Sequence, residues 1–442
     1  METPLNQNNP SVYFTRVDIS LSNSEGDTDA FCLTSSPTGL GGKNDESGGM
    51  YFESLTYVRV GAKGSANKLT LNLIDNTSTG IEQKLAQMYR HMKLTYYGMR
   101  QFDENNNGGA TVVPHGPYDL LVTDWQTTLT PYGAKLRVEA ISLGLSQLRQ
   151  SLPRKKGKDN KYQDIYYQGK PSDIVKKILE YCGFSTTLKG VSTIEETTED
   201  LVDDIWGDDP KQKVKRKFRY GGGSAVDFIN KDIIPYSHST NPDHKRPYVL
   251  NFSDELENGK PVAIFKSADA LLAPLEKKKS VKFEYNTKNS FVQSWNPVYR
   301  GKQLLGISGV ECCYTTPDGK VESVMAKGSV DPEPGQSPLR ITTTGSKSDA
   351  QFLADMTLKM RQFSAHRASI TLINYSDVHV GDFIDVIAKT REGKTHHTSG
   401  NFYVESVTDN VSSGMITTTL ELKLFKPLAD DSVEDRYVKT HN

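Results

Sequence analysis

No stretch of this 442-residue chain approaches the ~18 consecutive apolar residues of a membrane-spanning helix, so no span is expected. Its opening residues, METPLNQNNPSVYF, hold neither a basic nor an apolar run, which argues against Sec-type export. Cysteine is scarce. Cys32, Cys182, Cys312 and Cys313 show no C-x-x-C spacing, so neither a zinc site nor a disulfide framework is suggested. Four reduced, mostly buried thiols made in a cytosol are expected instead. An excess of one charge is missing as well: 53 Lys and Arg stand against 54 Asp and Glu, whereas a dedicated nucleic-acid binder is usually clearly basic. Trp125, Trp206 and Trp295 are too dispersed for a sugar-binding platform.

Chemistry-bearing patterns are equally sparse. No H-E-x-x-H, G-x-S-x-G or P-loop pattern occurs. His396 and His397 lie in a loop with no third metal ligand at a supportive spacing. Tyr220-Gly-Gly-Gly-Ser224 leads into a helix but lacks the Lys-Ser/Thr ending of a phosphate cradle, so a flexible lead-in to a capped helix is the simpler account. The carboxylate pairs Asp203/Asp204, Asp208/Asp209 and Asp254/Glu255 sit in runs or turns, where solvation explains them. No catalytic, cofactor or metal residue is assigned, and the chain is not expected to be an enzyme.

What is present is strand patterning. Apolar residues make up 36%, with 35 Gly and 21 Tyr, a balance suited to exposed strands and loops. A chain this long should divide into about two to four domains. Alternation marks strands at Val12–Leu21, Tyr51–Val60, Lys68–Leu73, Tyr118–Thr123 and Ala134–Leu143, fitting a small barrel or sandwich. Residues 22–49 read as a long loop or a pair of loops, 101–110 as a turn-rich tip, and Ile81–His91 as a short helix with Ile81, Leu85 and Met88 on one face. The composition breaks at SLPRKKGKDNK, residues 151–161. A helix then follows from Lys170, capped by Ser172, striped by Ile174, Val175, Ile178, Leu179 and Cys182, and ended by Gly183. A second starts at Ser224 with Asp227 in capping-box spacing, buries Ala225, Phe228 and Ile229, and stops at Pro235.

Between them, eight acidic residues from Glu195 to Asp209 precede six basic ones from Lys211 to Arg219. A solvated excursion is favoured over a docking surface. A third helix, Asp349–His366, is capped by Ser348 and buries Phe352, Leu353, Met356, Met360 and Phe363. The chain closes on a hairpin. Phe402–Val407 turns through residues 409–414 into a strand with Ile416, Thr418, Leu420, Leu422 and Leu424 on its core face and Thr417, Thr419, Glu421 and Lys423 on the other. The order strands, helices, strands suggests two similar β-modules around a mixed middle.

Four patterns taken in order resemble one family. They are TyrAspLeuLeuValThrAspTrp…LysLeuArgValGluAlaIleSer (118–142), GKPSDIVKKILEYCGF (169–184), GGGSAVDFINKDIIPYS (221–237) with TyrValLeuAsnPhe (248–252), and ValHisValGlyAspPheIleAspVal (378–386) running into GlyAsnPheTyrValGluSerValThrAspAsn…ThrThrThrLeuGluLeu (400–422). Together, over roughly residues 50–425, they resemble the baseplate hub proteins of contractile-tailed bacteriophages, with the hub half of type VI secretion spikes more distant. The long 22–49 loop and the 187–219 charged excursion depart from a compact hub pattern.

The resemblance implies a β-rich α+β chain with two tube-like β-barrel domains, 1–150 and 291–442, flanking a mixed α/β middle, 151–290. It implies a homotrimer forming a pseudo-sixfold ring, located in the virion baseplate and assembled in the host cytoplasm. Its partners would be a tail tube protein or tube initiator on one side and a central spike on the other, with a tape-measure protein and baseplate wedge proteins nearby. No cofactor and no sequence-specific nucleic acid are implied. Inter-subunit or lumen-facing candidates are Phe383, Asp385, Thr417, Thr419, Glu421 and Lys423. Rival readings are the hub of a phage-like secretion or injection system, a tail-associated peptidoglycan- or glycan-degrading enzyme, and a carbohydrate-binding β-module.

Overall fold

The structure is a computed structural model that describes residues 16–34, 50–60, 67–75, 80–100, 111–131, 133–154, 156, 162–199, 201–203, 212–244, 246–258, 260–272, 281–285, 292–299, 309–316, 318–327, 337–343, 346–363, 366–373, 377–412 and 415–427. Both the turn-rich tip at 101–110 and the end of the 22–49 loop lie outside them.

A first module holds β1 (Arg16–Ser22), β2 (Thr28–Thr34), β3 (Met50–Val60), β4 (Lys68–Asp75), α1 (Ile81–Ala86), β5 (His91–Arg100), β6 (Thr111–Thr130), β7 (Gly133–Ser142) and α2 (Leu143–Leu148). Its strands run antiparallel in the order β2-β1-β5-β6-β7-β4-β3. Alternation is strict on β4, where Leu69, Leu71 and Leu73 are buried and the residues between them are not. The stretch expected to be all loop after Ser22 instead turns back within five residues, since Asn23 ties Asp27 and β2 pairs with β1 from Ser22↔Thr28. The helix is shorter than the periodicity suggests. It stops at Ala86, and Met88 stands 64% exposed at φ 67°.

The middle carries β8 (Ile165–Gln168), α3 (Pro171–Tyr181), β9 (Thr187–Leu188), β10 (Val191–Ser192), β11 (Leu201–Asp203), β12 (Lys213–Lys215), β13 (Lys217–Tyr220), α4 (Ala225–Phe228), β14 (Tyr248–Glu257), β15 (Lys260–Ser267) and α5 (Ala268–Leu272). The expected stripe of α3 is buried together with Phe184, Phe218, Tyr220, Phe228 and Phe265. Its cap differs. Lys170 is the N-cap before Pro171, and Ser172 is buried, its hydroxyl accepting from the Thr197 amide at 3.2 Å. At α4 the capping box forms as expected, Ser224 Oγ accepting from the Asp227 amide at 3.1 Å. The backbone then passes Phe228 without stopping, through a wide turn (Ile229–Ile233) and a tight one (Ile234–Tyr236) that contains Pro235.

The two charge runs fold onto each other. In the β11–β12 ladder Asp203 faces Lys213 and Leu201 faces Lys215, while Lys215 Nζ reaches Glu199 at 2.5 Å. The Lys215–Glu199 ion pair neutralises one charge of each run.

The last part comprises β16 (Val281–Tyr285), β17 (Val292–Tyr299), β18 (Gly309–Thr315), β19 (Val321–Lys327), β20 (Leu339–Thr343), α6 (Lys347–Phe363), β21 (His366–Ile373), β22 (Phe383–Ala388), β23 (Gly400–Ser412) and β24 (Met415–Pro427). Strands β19-β18-β20 and α6 form a lobe with its own core around Val310, Cys312, Ala350 and Ala354. Ser346, not Ser348, supports the start of α6, its carbonyl accepting from the Ala350 amide at 2.9 Å. The face against the lobe sheet is Ala350, Leu353, Ala354 and Leu358, the two alanines allowing close approach, while Met360 turns to the middle core. The side chain of Phe363 lies outside the described residues. The other strands pack around Trp295, Ile370, Leu372, Phe402, Leu420 and Leu422.

These strands and the first module are one thirteen-stranded sheet, continuing β17-β21-β24-β23-β3. The connection is β23. Gly400–Tyr403 pairs with β22, and Ser406–Ser412 pairs with β3 from Val60 to Ser54. Asp409 to Ser412 are therefore strand, not turn: pairing on both edges, to β3 and β24, overrides their local turn preference.

Candidate functional site at the module junction

Each residue of the final strand has a defined place. Ile416, Thr418, Leu420 and Leu422 are buried, as the alternation requires, and the Leu424 side chain lies outside the described residues. Thr417, Thr419 and Glu421 share the opposite face. There Thr419 is flanked by Thr371 and Thr408, and Glu421 by Ser369 and Ser406. The same row crosses the seam. Asn410 sits beside Thr56, whose hydroxyl donates to its side-chain oxygen at 2.9 Å, and Thr56 and Ser54 sit beside Thr70 and Asn72 of β4. At β7 the row ends in neutralised ions, with Lys135 on Glu53 and Arg137 on Glu139, both at 2.7 Å. The result is a hydroxyl- and amide-lined face spanning five strands of two modules. Sequence reasoning saw only its last strand. The signal for the rest was Thr, Ser or Asn recurring at every second position of β3, β4, β21 and β23.

Lys423 does not belong to that face. It is 5% exposed, with Nζ 2.7 Å from Glu405, which also attracts Arg367 at 3.6 Å. Phe383 is likewise taken up inside the chain, 3% exposed, edge-on to Tyr403 with ring centroids 5.4 Å apart. Within a single copy both side chains are therefore buried, and Lys423 is not on the outer face that the alternation suggests. Asp385 is half-buried and accepts from Asn401 Nδ2 at 2.8 Å. Burial pushes the Glu421 carboxyl above its ordinary range, with Glu405 adding repulsion.

The ValHisValGlyAsp turn before β22 has a mechanical reason. Gly381 has φ +93°, and a Cβ there would meet Asn251 Nδ2 at 3.2 Å. Asp382 Oδ2 accepts from the His379 amide at 2.7 Å, and Asn251 donates to the Tyr403 hydroxyl at 2.5 Å. One turn thus fixes β22, β23 and β14 together.

The most unusual group lies beneath the seam. Arg59 of β3 and Asp409 of β23, each 0% exposed, form an ion pair at 2.6 Å. Asp409 also accepts from Tyr96 at 2.5 Å and Thr418 at 2.7 Å. Arg59 reaches the Val378 carbonyl and His379 Nδ1, each at 3.4 Å. His115 of β6 stacks on Tyr96 at 5.1 Å and lies 6.4 Å from the His379 ring. Burial pushes the His115 imidazole down to about 4 and the Tyr96 phenol well up. Together these contacts fix β3, β5 and β23 to one another and to the turn before β22.

His396 and His397 stack at 4.1 Å, and His396 Nδ1 is spent on Thr398 at 2.8 Å. Among the described residues no three His, Cys, Asp or Glu side chains are grouped to hold a metal ion. Gly222 and Gly223, at φ +119° and +97°, let the chain curl back so that the Tyr220 hydroxyl donates to the Gly223 carbonyl at 2.5 Å. That curl accounts for the glycine run.

No family model matches this chain, and no curated protein matches it. Among solved structures, a tail protein from Neisseria meningitidis MC58 is similar at TM-score 0.52 and 11% identity, covering 93% of this chain and 97% of that one. The 43 kDa tail protein of prophage MuSo2 from Shewanella oneidensis is similar at TM-score 0.51 and 10% identity, over 92% of this chain and 98% of that one. A chain of the Francisella PdpA–VgrG complex in its half-lidded form matches at TM-score 0.52 and 9% identity, over 97% of this chain but only 61% of that one. This chain therefore has the fold of these two tail proteins and of the matched part of the PdpA–VgrG chain.

Proposed function

We propose that this chain is the central hub of a phage tail baseplate, a structural virion protein that joins the tail tube to the central spike. In this reading its two sheet modules close into tube-like barrels, and three copies form a ring with six similar walls. That ring meets a sixfold tube, or its initiator, on one side and a threefold spike on the other, with tape-measure and wedge proteins as further neighbours. Contacts between copies are heterologous and close by rotation. The observation that carries the reading is the unbroken sheet, which runs through β23 from one module to the other with one hydroxyl face across the seam. A single chain thereby holds two walls in fixed register. Thr417, Thr419 and Glu421 are then neighbour- or lumen-facing, on a surface whose charges are mostly paired and whose hydroxyls offer weak, uniform contacts.

Imaging the purified chain, or the virion, tests this. A threefold ring is the expected result, and a stable monomer inside assembled particles would reject the proposal. A second reading, the hub of a phage-like secretion or injection system, is favoured by the similarity to the PdpA–VgrG complex over 97% of this chain. Genes encoding tube, sheath and spike beside this one, with or without capsid genes, separate the two.

A further inference from the structure

We propose that the junction between the two sheet modules is an acid-opened clasp, in which protonation of His379 and His115 releases the β3–β23 ladder while the modules on either side stay folded. Among the described residues, that ladder is the only strand pairing between the two halves of the large sheet. Of the described residues of the β23–β24 hairpin, only Val411 and Ile416 belong to the first module's core, so their apolar anchoring of the clasp is slight. Polar groups do the rest, and they centre on Asp409, a carboxylate accepting from Arg59, Tyr96 and Thr418.

The two histidines approach this carboxylate from different elements. His379 comes from the turn before β22 and faces Arg59, Nδ1 to guanidinium nitrogen at 3.4 Å. That contact requires a lone pair on Nδ1, because a guanidinium has only donors. Protonation replaces the lone pair with an N–H and sets two cations against each other. His379 is half-exposed, so a proton reaches it from solvent, and Asp377 lies 3.7 Å from Nε2. Asp382 accepts from its backbone amide and holds the turn in place.

His115, 3% exposed, comes from β6 against Tyr96 and His379. Tyr57 and Tyr118 complete that wall as neutral rings. With both imidazoles protonated a closed seam would set three cations against Asp409, with Asp377 at its rim, so His115 takes up its proton as the seam opens. The excess is relieved by letting water in, which means separating β23 from β3.

Hydrogen exchange of the full chain, with rates normalised to the intrinsic rate at each pH, reads this directly. Between pH 7 and 5 the amides of 54–60 and 406–412 should lose protection at least tenfold, while those of 69–73 and 368–372 keep theirs. The double variant His115→Gln/His379→Gln should hold the seam closed over the same range. Where that variant does not fold, His379→Gln alone should shift the opening to lower pH. Loss of protection in the seam and both cores at one common pH overturns the proposal, as does unchanged opening in the histidine variants.

Discussion

A carboxylate with no exposed surface must find its counter-charge inside the fold, and Asp409 finds Arg59. Desolvating both ions costs several kcal/mol, so the pair adds little net stability but penalises every arrangement that breaks it. Arg59→Met alone should therefore destabilise the chain by about 3–5 kcal/mol, while Arg59→Met with Asp409→Leu should recover most of that loss in the urea transition. An equal loss in both variants would mean that the pair contributes more than specificity. His115 gives a separate expectation. Its imidazole is held near 4 against an ordinary 6.5, so the unfolded chain binds a proton between these values and the folded one does not. The stabilisation is complete above pH 6.5 and falls away toward pH 4, by up to ~3 kcal/mol, and His115→Gln should flatten that slope in pH-dependent melting.

At the scale of elements, burial decides what a side chain contributes. Leu420→Ala in β24 should cost about 2–5 kcal/mol, whereas Leu129→Ala in β6, 83% exposed, should change stability by less than about 0.5 kcal/mol in the same melt. Gly381→Ala should cost more than about 1 kcal/mol, because the left-handed turn and the nearby Asn251 side chain both resist a Cβ. Local patterning made much of this legible. The rows of β4 and β24, the stripe of α3 and the Ser224 capping box follow from spacing alone. Failures occurred where a distant partner outvoted the neighbours in sequence. Asp409-Asn410 favours a turn until β3 arrives to pair with it. Lys423 alternates outward with Thr417 and Thr419, yet Glu405 draws it under cover. Phe383 looks like a free aromatic until Tyr403, twenty positions later, packs on it. The hydroxyl face was spread thinly over strands far apart in the chain, and only the sheet order brings it together.

For the whole molecule, the seam makes the first and last modules mutually dependent. A fragment ending at residue 399 would lose β23 and β24, leaving the edge of β3 and the partners of β21 and β22 open. Such a fragment should accumulate in the insoluble fraction on expression, and a soluble, cooperatively melting product would contradict the dependence. This requirement also sets a clock. Arg59 leaves the ribosome 350 residues ahead of Asp409, which at cellular elongation rates is roughly 20–70 s. Throughout that interval β3 has one unsatisfied edge and a buried-type arginine without its carboxylate. The nascent chain must be shielded from its own copies on the same message until β23 has been made.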